Sequence, residues 1–127
     1  MSYVHVIVSM KKSPSKAKEK TKHYMQLDCT KDEALEDILV PYASNSNRIL
    51  VEGAFISAAD IEKIAVFESS DDSKTLYDKE SAESEARSAR MASQGVIGFF
   101  GTTMYAAIHN QATDITSQIL REAMKRQ

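Results

Sequence analysis

The chain has 127 residues, of which 43% are hydrophobic and 27% charged, and its net charge is −2. This length fits one domain, and four glycines with two prolines exclude a long disordered or fibrous chain. The small net charge excludes a strong overall field toward nucleic acid or anionic membranes, and no apolar run reaches the ~20 residues that a membrane helix needs. Cys29 is the only cysteine, so no intramolecular disulfide can form. With no signal-peptide pattern, we expect one cytoplasmic domain over residues 1–127.

The N-terminal part predicts a strand followed by a basic segment. Residues 3–8 are dense in β-branched and aromatic types, which favours a strand, and we expect His5 on its more polar face. Residues 11–22 contain six lysines and one glutamate. Ser-Pro-Ser at 13–15 breaks regular structure there, so the segment is a basic loop or a fraying helix. Residues 23–27 then predict a short extended piece.

The first helix has the clearest start signal in the chain. Thr30 and Glu33 have the spacing of a capping box, in which each side chain accepts the backbone N–H of the other residue. Pro41 disfavours helical geometry at the residue before it, so we expect the helix to end near Val40. Apolar residues recur at intervals of three and four and form one stripe: Leu35, Ile38, Leu39 and Tyr42.

The middle of the chain predicts a hairpin and a central strand. Residues 49–51 and 54–56 favour two strands, and Gly53 between them permits the positive φ of a tight turn. Residues 57–60 have a capping pattern for a helical turn of at most six residues. Residues 64–67 are apolar almost without alternation, which indicates a central strand covered on both faces.

The C-terminal part predicts two more helices around two strands. Residues 74–93 contain no glycine or proline and favour a solvated helix with a thin apolar face and modest pairing of Glu80, Glu83 and Glu85 with arginines. The apolar runs 96–100 and 104–108 predict two strands. Thr113 or Asp114 caps a terminal helix with an apolar face at Ile115, Ile119, Leu120 and Ala123. The fold class is therefore α+β: a mixed or antiparallel sheet of about five or six short strands, with three helices packed on it.

No residue pattern predicts catalysis, a cofactor or a metal site. The histidines at 5, 23 and 109 are far apart, and none has a second ligand at helical spacing. The glycines near Phe99 and Phe100 suit packing better than a phosphate-binding loop. The carboxylates at Asp28, Asp32, Glu33, Glu36 and Asp37 form a hydrated acidic face. Together with the basic segment they favour either internal compensation or contact between copies.

The basic residues are the candidate contacts for a ligand or partner. They are Lys11, Lys12, Lys16, Lys18, Lys20 and Lys22, together with Arg87 and Arg90 on the long helix. The lysines fit either a phosphate-contacting arm or a solvated connection. The solvated connection is favoured, because no aromatic residue within 11–22 can stack on a base.

One order of motifs resembles a known family. An acidic capped helix ends in Ile-Leu-Val-Pro-Tyr, then come Arg-Ile-Leu-Val-Glu-Gly-Ala-Phe-Ile and Ala-Asp-Ile-Glu-Lys-Ile-Ala-Val-Phe-Glu-Ser, with Asp-Ile-Thr near the end. This order, over about half the chain, resembles the small N-terminal module that precedes TIR-like and other effector domains in bacterial antiphage-defence proteins. The resemblance implies fold-defining roles for Pro41, Tyr42, Gly53, Ile61, Ile64, Asp114 and Thr116.

The resemblance implies a binding function without catalysis. We expect a sensing or oligomerisation module whose partners are a second copy, an effector domain of the same system, or a phage protein. The alternatives are a stand-alone binder of nucleotide signals and a nucleic-acid-binding module that uses the lysines of 11–22. The basic segment departs from the family pattern and leaves the ligand open.

Overall fold

The computed structural model describes residues 2–12, 22–93 and 102–126. In chain order the strands are β1 (Tyr3–Met10), β2 (His23–Cys29), β3 (Ile49–Val51), β4 (Ala54–Ile56), β5 (Ile61–Ser69) and β6 (Thr113–Asp114). The helices are α1 (31–43), α2 (Ser73–Ser93), α3 (Met104–Gln111) and α4 (Thr116–Lys125). These elements form the predicted α+β fold, with four helices among the described residues where three were expected.

The larger sheet has the strand order β2-β1-β5-β6, and each neighbouring pair is antiparallel. The strands predicted at 3–8, 23–27 and 64–67 are confirmed. The interior position of β5 confirms that 64–67 is a central strand, since Val66 and Phe67 are both buried on opposite faces of the sheet. A short helical turn, Ala58–Asp60, precedes β5 as predicted, although the Ser57 side chain makes no capping hydrogen bond.

Alternating side chains of the sheet face two separate cores, because successive residues of a strand point to opposite faces. The core shared with α1, α4 and β3 takes from the sheet Val4, Val6, Val8, Ile64 and Val66. The smaller core shared with α2 and α3 contains Ile7, Phe67, Leu76 and Ile108. The sheet is therefore the middle of three layers.

Helix α1 begins as predicted. Thr30 Oγ1 accepts the Glu33 N–H at 3.1 Å, and the Glu33 carboxylate accepts the Thr30 N–H at 3.4 Å, so the capping box is confirmed. The predicted stripe is also correct: Leu35, Ile38 and Leu39 are buried and Tyr42 is half-buried. This stripe holds α1 against the sheet.

The predicted end of α1 near Val40 is wrong, because the helix continues through Val40–Ala43. Its middle, Leu35–Leu39, is a π-helical turn in which the Val40 N–H donates to the Leu35 carbonyl, five residues back. A regular helix brings a proline ring against the carbonyl four residues earlier. The wider π turn directly before Pro41 lets the chain stay helical past the proline.

The hairpin of β3 and β4 is confirmed and also covers the edge of the larger sheet. Glu52 and Gly53 form its turn with φ of 50° and 76°, the left-handed values that a two-residue hairpin of this type requires. The Glu52 carboxylate accepts the Met25 N–H of β2, and the Glu52 N–H donates to Gln26 Oε1 at 2.8 Å. The first of these bonds occupies a backbone donor of the edge strand β2, where an exposed donor invites pairing with another chain.

Helix α3 replaces the strand predicted at 104–108. Thr103 is its N-cap, and its Oγ1 accepts the Ala106 N–H at 3.1 Å. The apolar run is short enough to fit either a strand or a buried helix segment, and here Ala107 and Ile108 fill the smaller core from a helix. The strand predicted at 96–100 lies outside the described residues.

Helix α4 has the predicted apolar face, but its N-cap is Ile115, without a capping side chain, and not Thr113 or Asp114 as expected. Asp114 instead contacts the helix start from one residue before the cap. Asp114 Oδ1 accepts the Thr116 N–H at 2.8 Å, and Ile119 and Ala123 are buried. Helices α1 and α4 form two ion pairs within the chain: Lys31 Nζ lies 2.9 Å from Glu122, and Arg126 Nη2 lies 3.8 Å from Asp32. The second pair supplies internal compensation for Asp32 of the acidic face.

Candidate ligand-binding surface

One end of the larger sheet gathers the two ends of the basic segment. Strand β1 ends there, and β2 and β5 both start there, because β1 lies between them and is antiparallel to each. The Met10 N–H donates to the Lys22 carbonyl at 2.9 Å, and the Lys11 N–H donates to the Asp60 carbonyl at 2.8 Å. We call residues 9–12, 22–24 and 60–63 the loop end of the sheet.

Four exposed lysines lie at the loop end: Lys11, Lys12, Lys22 and Lys63. Lys63 was not among the candidates, but its pairing with Ser9 in the sheet places it beside the others. Among the described residues, no ion pair includes any of the four. Two exposed carboxylates, Asp60 and Glu62, are close to them in the chain. The loop end therefore carries an excess of positive charge.

The remaining basic candidates do not join this group in the described structure. Lys16, Lys18 and Lys20 lie outside the described residues. Arg87 is on α2, where its Nη2 lies 3.3 Å from the Glu80 carboxylate, and Arg90 is exposed one turn further along α2. Arg87 thus pairs with a carboxylate of its own helix.

A row of rings borders the loop end on the face covered by α3. The rings of His23 and Tyr105 have centroids 5.2 Å apart, and those of Tyr105 and His109 are 4.3 Å apart. His109 in turn meets the buried ring of Phe67 edge-on at 4.8 Å. Residues far apart in sequence thus supply the aromatic surface that 11–22 lacks. We call His23, Tyr105 and His109 the ring row.

A second aromatic contact lies on the other face of the same sheet end. The Lys22 ammonium is 4.9 Å from the centroid of the Tyr24 ring, a cation–π distance. Adjacent residues of a strand face opposite ways, so Tyr24 and His23 lie on different faces. Aromatic groups therefore flank the lysines on both sides of the sheet.

The buried histidine His5 has a serine and an aspartate beside it, but it does not form a catalytic triad. Expected on a polar face, His5 is instead fully buried. The Ser69 hydroxyl donates to the Asp71 carbonyl at 2.6 Å, so His5 Nε2 must donate to Ser69 Oγ across 2.8 Å. Nδ1 accepts the Asp28 N–H at 3.2 Å. Both directions are the reverse of those that activate a serine nucleophile.

The charges around His5 agree with this assignment. Burial lowers the pKa of His5 below its usual 6.5, while the carboxylates of Asp28 and Asp72 oppose that shift. Asp28 lies before α1, not on its acidic face as expected, and its two oxygens accept the backbone N–H and hydroxyl of Ser73, each at 2.6 Å. A neutral His5 and Asp28 thus fix the start of α2 to the sheet.

Glu80 joins α2 to α3 and is not the solvated carboxylate that the sequence predicts. It is 1% exposed. Its carboxylate accepts from Asn110 Nδ2 at 3.0 Å and from Gln111 Nε2 at 2.9 Å, besides the contact with Arg87. The hydrogen bond from Gln111 is the main cause that lowers the pKa of Glu80, so the buried group is ionised. This charged contact fixes the helix that carries Tyr105 and His109.

The fold-defining positions that the resemblance implies lie away from the loop end, apart from Ile61 and Ile64 at the start of β5. Thr116 Oγ1 accepts the Val66 N–H at 2.9 Å and donates to Asp114 Oδ1 at 2.6 Å, so the Asp-Ile-Thr motif attaches the start of α4 to β5. Hydrogen bonds from Thr116 are the main cause that lowers the pKa of Asp114. Pro41, Tyr42 and Gly53 occupy the π-helical helix and the hairpin described above.

Two other features bear on function. Tyr42, Leu120 and Met124 line an open groove of about 560 Å³ between α1 and α4, and Met124 is 62% exposed.

Cys29 is buried, its Sγ donates to the Val4 carbonyl at 3.0 Å, and burial raises its thiol pKa to about 11. Such a thiol is inert toward substrates near neutral pH.

Within 2–12, 22–93 and 102–126, no group of three or more His, Cys, Asp or Glu residues is placed to hold a metal ion. The helices of the same residues include none that is long and apolar enough to cross a membrane.

Comparison of the chain with models of protein families, with curated proteins and with solved structures found no match. The fold and surface therefore define the chain by class alone: an α+β domain with a basic, aromatic patch at one end of its sheet.

Proposed function

We propose that this chain is a non-enzymatic binding module that holds a phosphate-bearing ligand, a nucleotide or a nucleic acid, at the loop end of the sheet. The observation that carries the proposal is the group of four exposed lysines, none of which forms an ion pair among the described residues. Lysines placed this way neutralise phosphates and release counterions on binding. The basic segment 11–22 starts and finishes at the same place and adds three further lysines in sequence.

The buried polar groups support a binding role over an enzymatic one. The hydrogen-bond directions at His5 leave Ser69 without a base, and Cys29 is a buried thiol with a raised pKa. Glu80 is saturated with hydrogen bonds from its own chain. The strongest candidates for acid, base and nucleophile among the described residues thus act in the fold.

The test is binding to a labelled polyanion with charge-matched variants. Lys22→Ala/Lys63→Ala removes two charges at the loop end, and Lys74→Ala/Lys125→Ala removes two exposed charges elsewhere. Fluorescence anisotropy with labelled oligonucleotides at several salt concentrations should show weaker binding for the first variant. Its slope of log K against log salt should fall by about 0.7 per lost contact on a single strand. Equal affinity and slope for the two variants would refute the site.

The biological setting stays a prediction. In the setting that the resemblance implies, the module would be the sensing part of a bacterial antiphage-defence system, with an effector domain, a second copy or a phage protein as partner. Light scattering of the purified chain, with and without ligand, measures self-association directly. A monomer under both conditions would remove the homo-oligomer and leave ligand sensing as the role.

A further inference from the structure

The ring row differs from the other exposed apolar side chains of the described structure. Phe55 and Met124 are more exposed, at 68% and 62%, but Phe55 lies on the hairpin and Met124 in the groove beside α1. Tyr105 remains 40% exposed although its ring meets those of His23 and His109, and His23 follows Lys22 at the loop end. The row thus combines aromatic surface with nearby positive charge.

The ring row is held in place before any ligand arrives. At one end the Ser9 hydroxyl is hydrogen-bonded to His23 Nδ1 at 2.9 Å, and at the other end His109 packs on the buried ring of Phe67. The Thr103 cap fixes the first turn of α3, which carries Tyr105. Ordered side chains lose little conformational freedom when a ligand binds, which favours binding at this surface.

The charges around the row indicate how a ligand would lie. Lys22 directly precedes β2 and Lys63 is on β5, with β1 between the two strands. The Lys22 ammonium lies on Tyr24, on the face opposite to the ring row, whereas Lys63 pairs with Ser9, whose hydroxyl contacts His23. Lys63 is therefore the lysine on the face of the row. The negative charge of the Asp114 carboxylate interacts electrostatically with both His109 and Lys63. The His109 end of the row is therefore less favourable for an anion than the His23 end. Phosphates are expected at the His23 end.

We infer that the ring row is a stacking platform for an unpaired base, so the ligand of the loop end is a single-stranded nucleic acid. One base stacks on the exposed surface of Tyr105 and His23, and a neighbouring phosphate contacts Lys63, which lies on the same face of the sheet as the row. A duplex keeps its base faces stacked inside the helix and cannot use this surface. Base–aromatic stacking tolerates any sequence, so binding depends on the presence of bases and not on their order. This inference rests on the proposed function, because the lysines supply the phosphate contacts.

The test compares ligands that share phosphates but differ in bases. Labelled oligothymidylate, an abasic oligonucleotide of the same length and a duplex are titrated with the full chain, and binding is followed by fluorescence anisotropy. One stacked base should make oligothymidylate bind about 5- to 150-fold tighter than the abasic strand. Oligouridylate of the same length shows whether RNA or DNA is preferred. A duplex that binds as tightly as the single strand would overturn the inference.

Variants of Tyr105 separate stacking from charge. Tyr105→Leu should reduce binding to oligothymidylate to the level of the abasic strand, Tyr105→Phe should keep it, and Phe55→Leu serves as the control on an exposed ring elsewhere. The melting temperature of each variant verifies that it is folded. If the wild-type chain binds both strands equally, the stacking inference fails while the lysine site stands. If it binds neither strand, the proposed function and the inference both fail.

Discussion

Replacing Glu80 should detach the layer that carries the ring row. Glu80→Ala removes a carboxylate that accepts two short hydrogen bonds, from Asn110 and Gln111 in the last turn of α3. Hydrogen bonds to a charged group are worth about 1.5–3 kcal/mol each when both partners are buried. Asn110 is exposed and Gln111 half-buried, so water replaces part of that loss. We therefore expect each bond to contribute about 1 kcal/mol, the typical net value for a hydrogen bond in a protein.

The expected loss is thus about 2 kcal/mol in the free energy of unfolding, which lowers the melting temperature by roughly 8 °C for a domain of this size. The matched control is Glu85→Ala, which removes an exposed glutamate of the same helix and carries the same gain in helix propensity. Urea denaturation gives both free energies. Hydrogen exchange of the α3 amides reports whether that helix is loosened before the sheet.

Glu80→Gln provides the pH test. The folded-state pKa of Glu80 is lowered, so its stabilisation is fully present above the usual pKa of 4.5 and is lost as the pH falls through the lower folded-state value. The variant should therefore be destabilised most near pH 7 and much less near pH 3. Equal stability of Glu80→Ala and Glu85→Ala, or an effect of Glu80→Gln that does not depend on pH, would contradict the assignment of Glu80 as a charged contact between α2 and α3.

Three further predictions concern single groups. Burial lowers the pKa of His5, so the unfolded chain takes up a proton at a higher pH than the folded chain does. The free energy of unfolding should therefore decrease as the pH falls below 6.5. Thermal melts between pH 7.5 and 5.5 should show this pH dependence in the wild type and not in His5→Gln. Gly53→Ala should cost about 1–2 kcal/mol, measured by urea denaturation, because a φ of 76° is strained for alanine. No atom lies within 4 Å of the added Cβ, so this backbone strain is the whole expected cost. Cys29 should resist iodoacetamide at pH 8 in the native chain and react in urea, as mass spectrometry would show; rapid native alkylation contradicts its burial.

The elements that the sequence predicts correctly are those whose signals are local. The Thr30 and Glu33 capping box, the Gly53 turn and the apolar run of 64–67 each depend on residues within a few positions of one another. The errors at Pro41 and at 104–108 have a different origin. A π turn before a proline and the choice between helix and strand for a short apolar run are decided by packing against other elements.

The candidate surface could be predicted from sequence only where its signal is local. The lysine-rich run 11–22 is visible in sequence, and its two ends must meet wherever β1 and β2 pair. The ring row is not visible, because His23 and Tyr105 come from opposite halves of the chain and meet only when α3 packs on the sheet. Thr103 is a residue type that often begins helices, but the apolar run that follows it has a strand-like composition.

The polar groups that sequence placed on the surface explain how the ring row is held. Helix α2 has few large apolar side chains, and the core beneath it is the smaller of the two. Buried polar contacts supply the missing attachment: Asp28 fixes the start of α2 through Ser73, and Glu80 fixes its middle to α3. Their energy depends on charge and geometry more than on buried area. The position of Tyr105 over the loop end thus depends on the Glu80 carboxylate, and Glu80→Ala should weaken binding of oligothymidylate even though Glu80 is buried beneath α3 and touches no ligand.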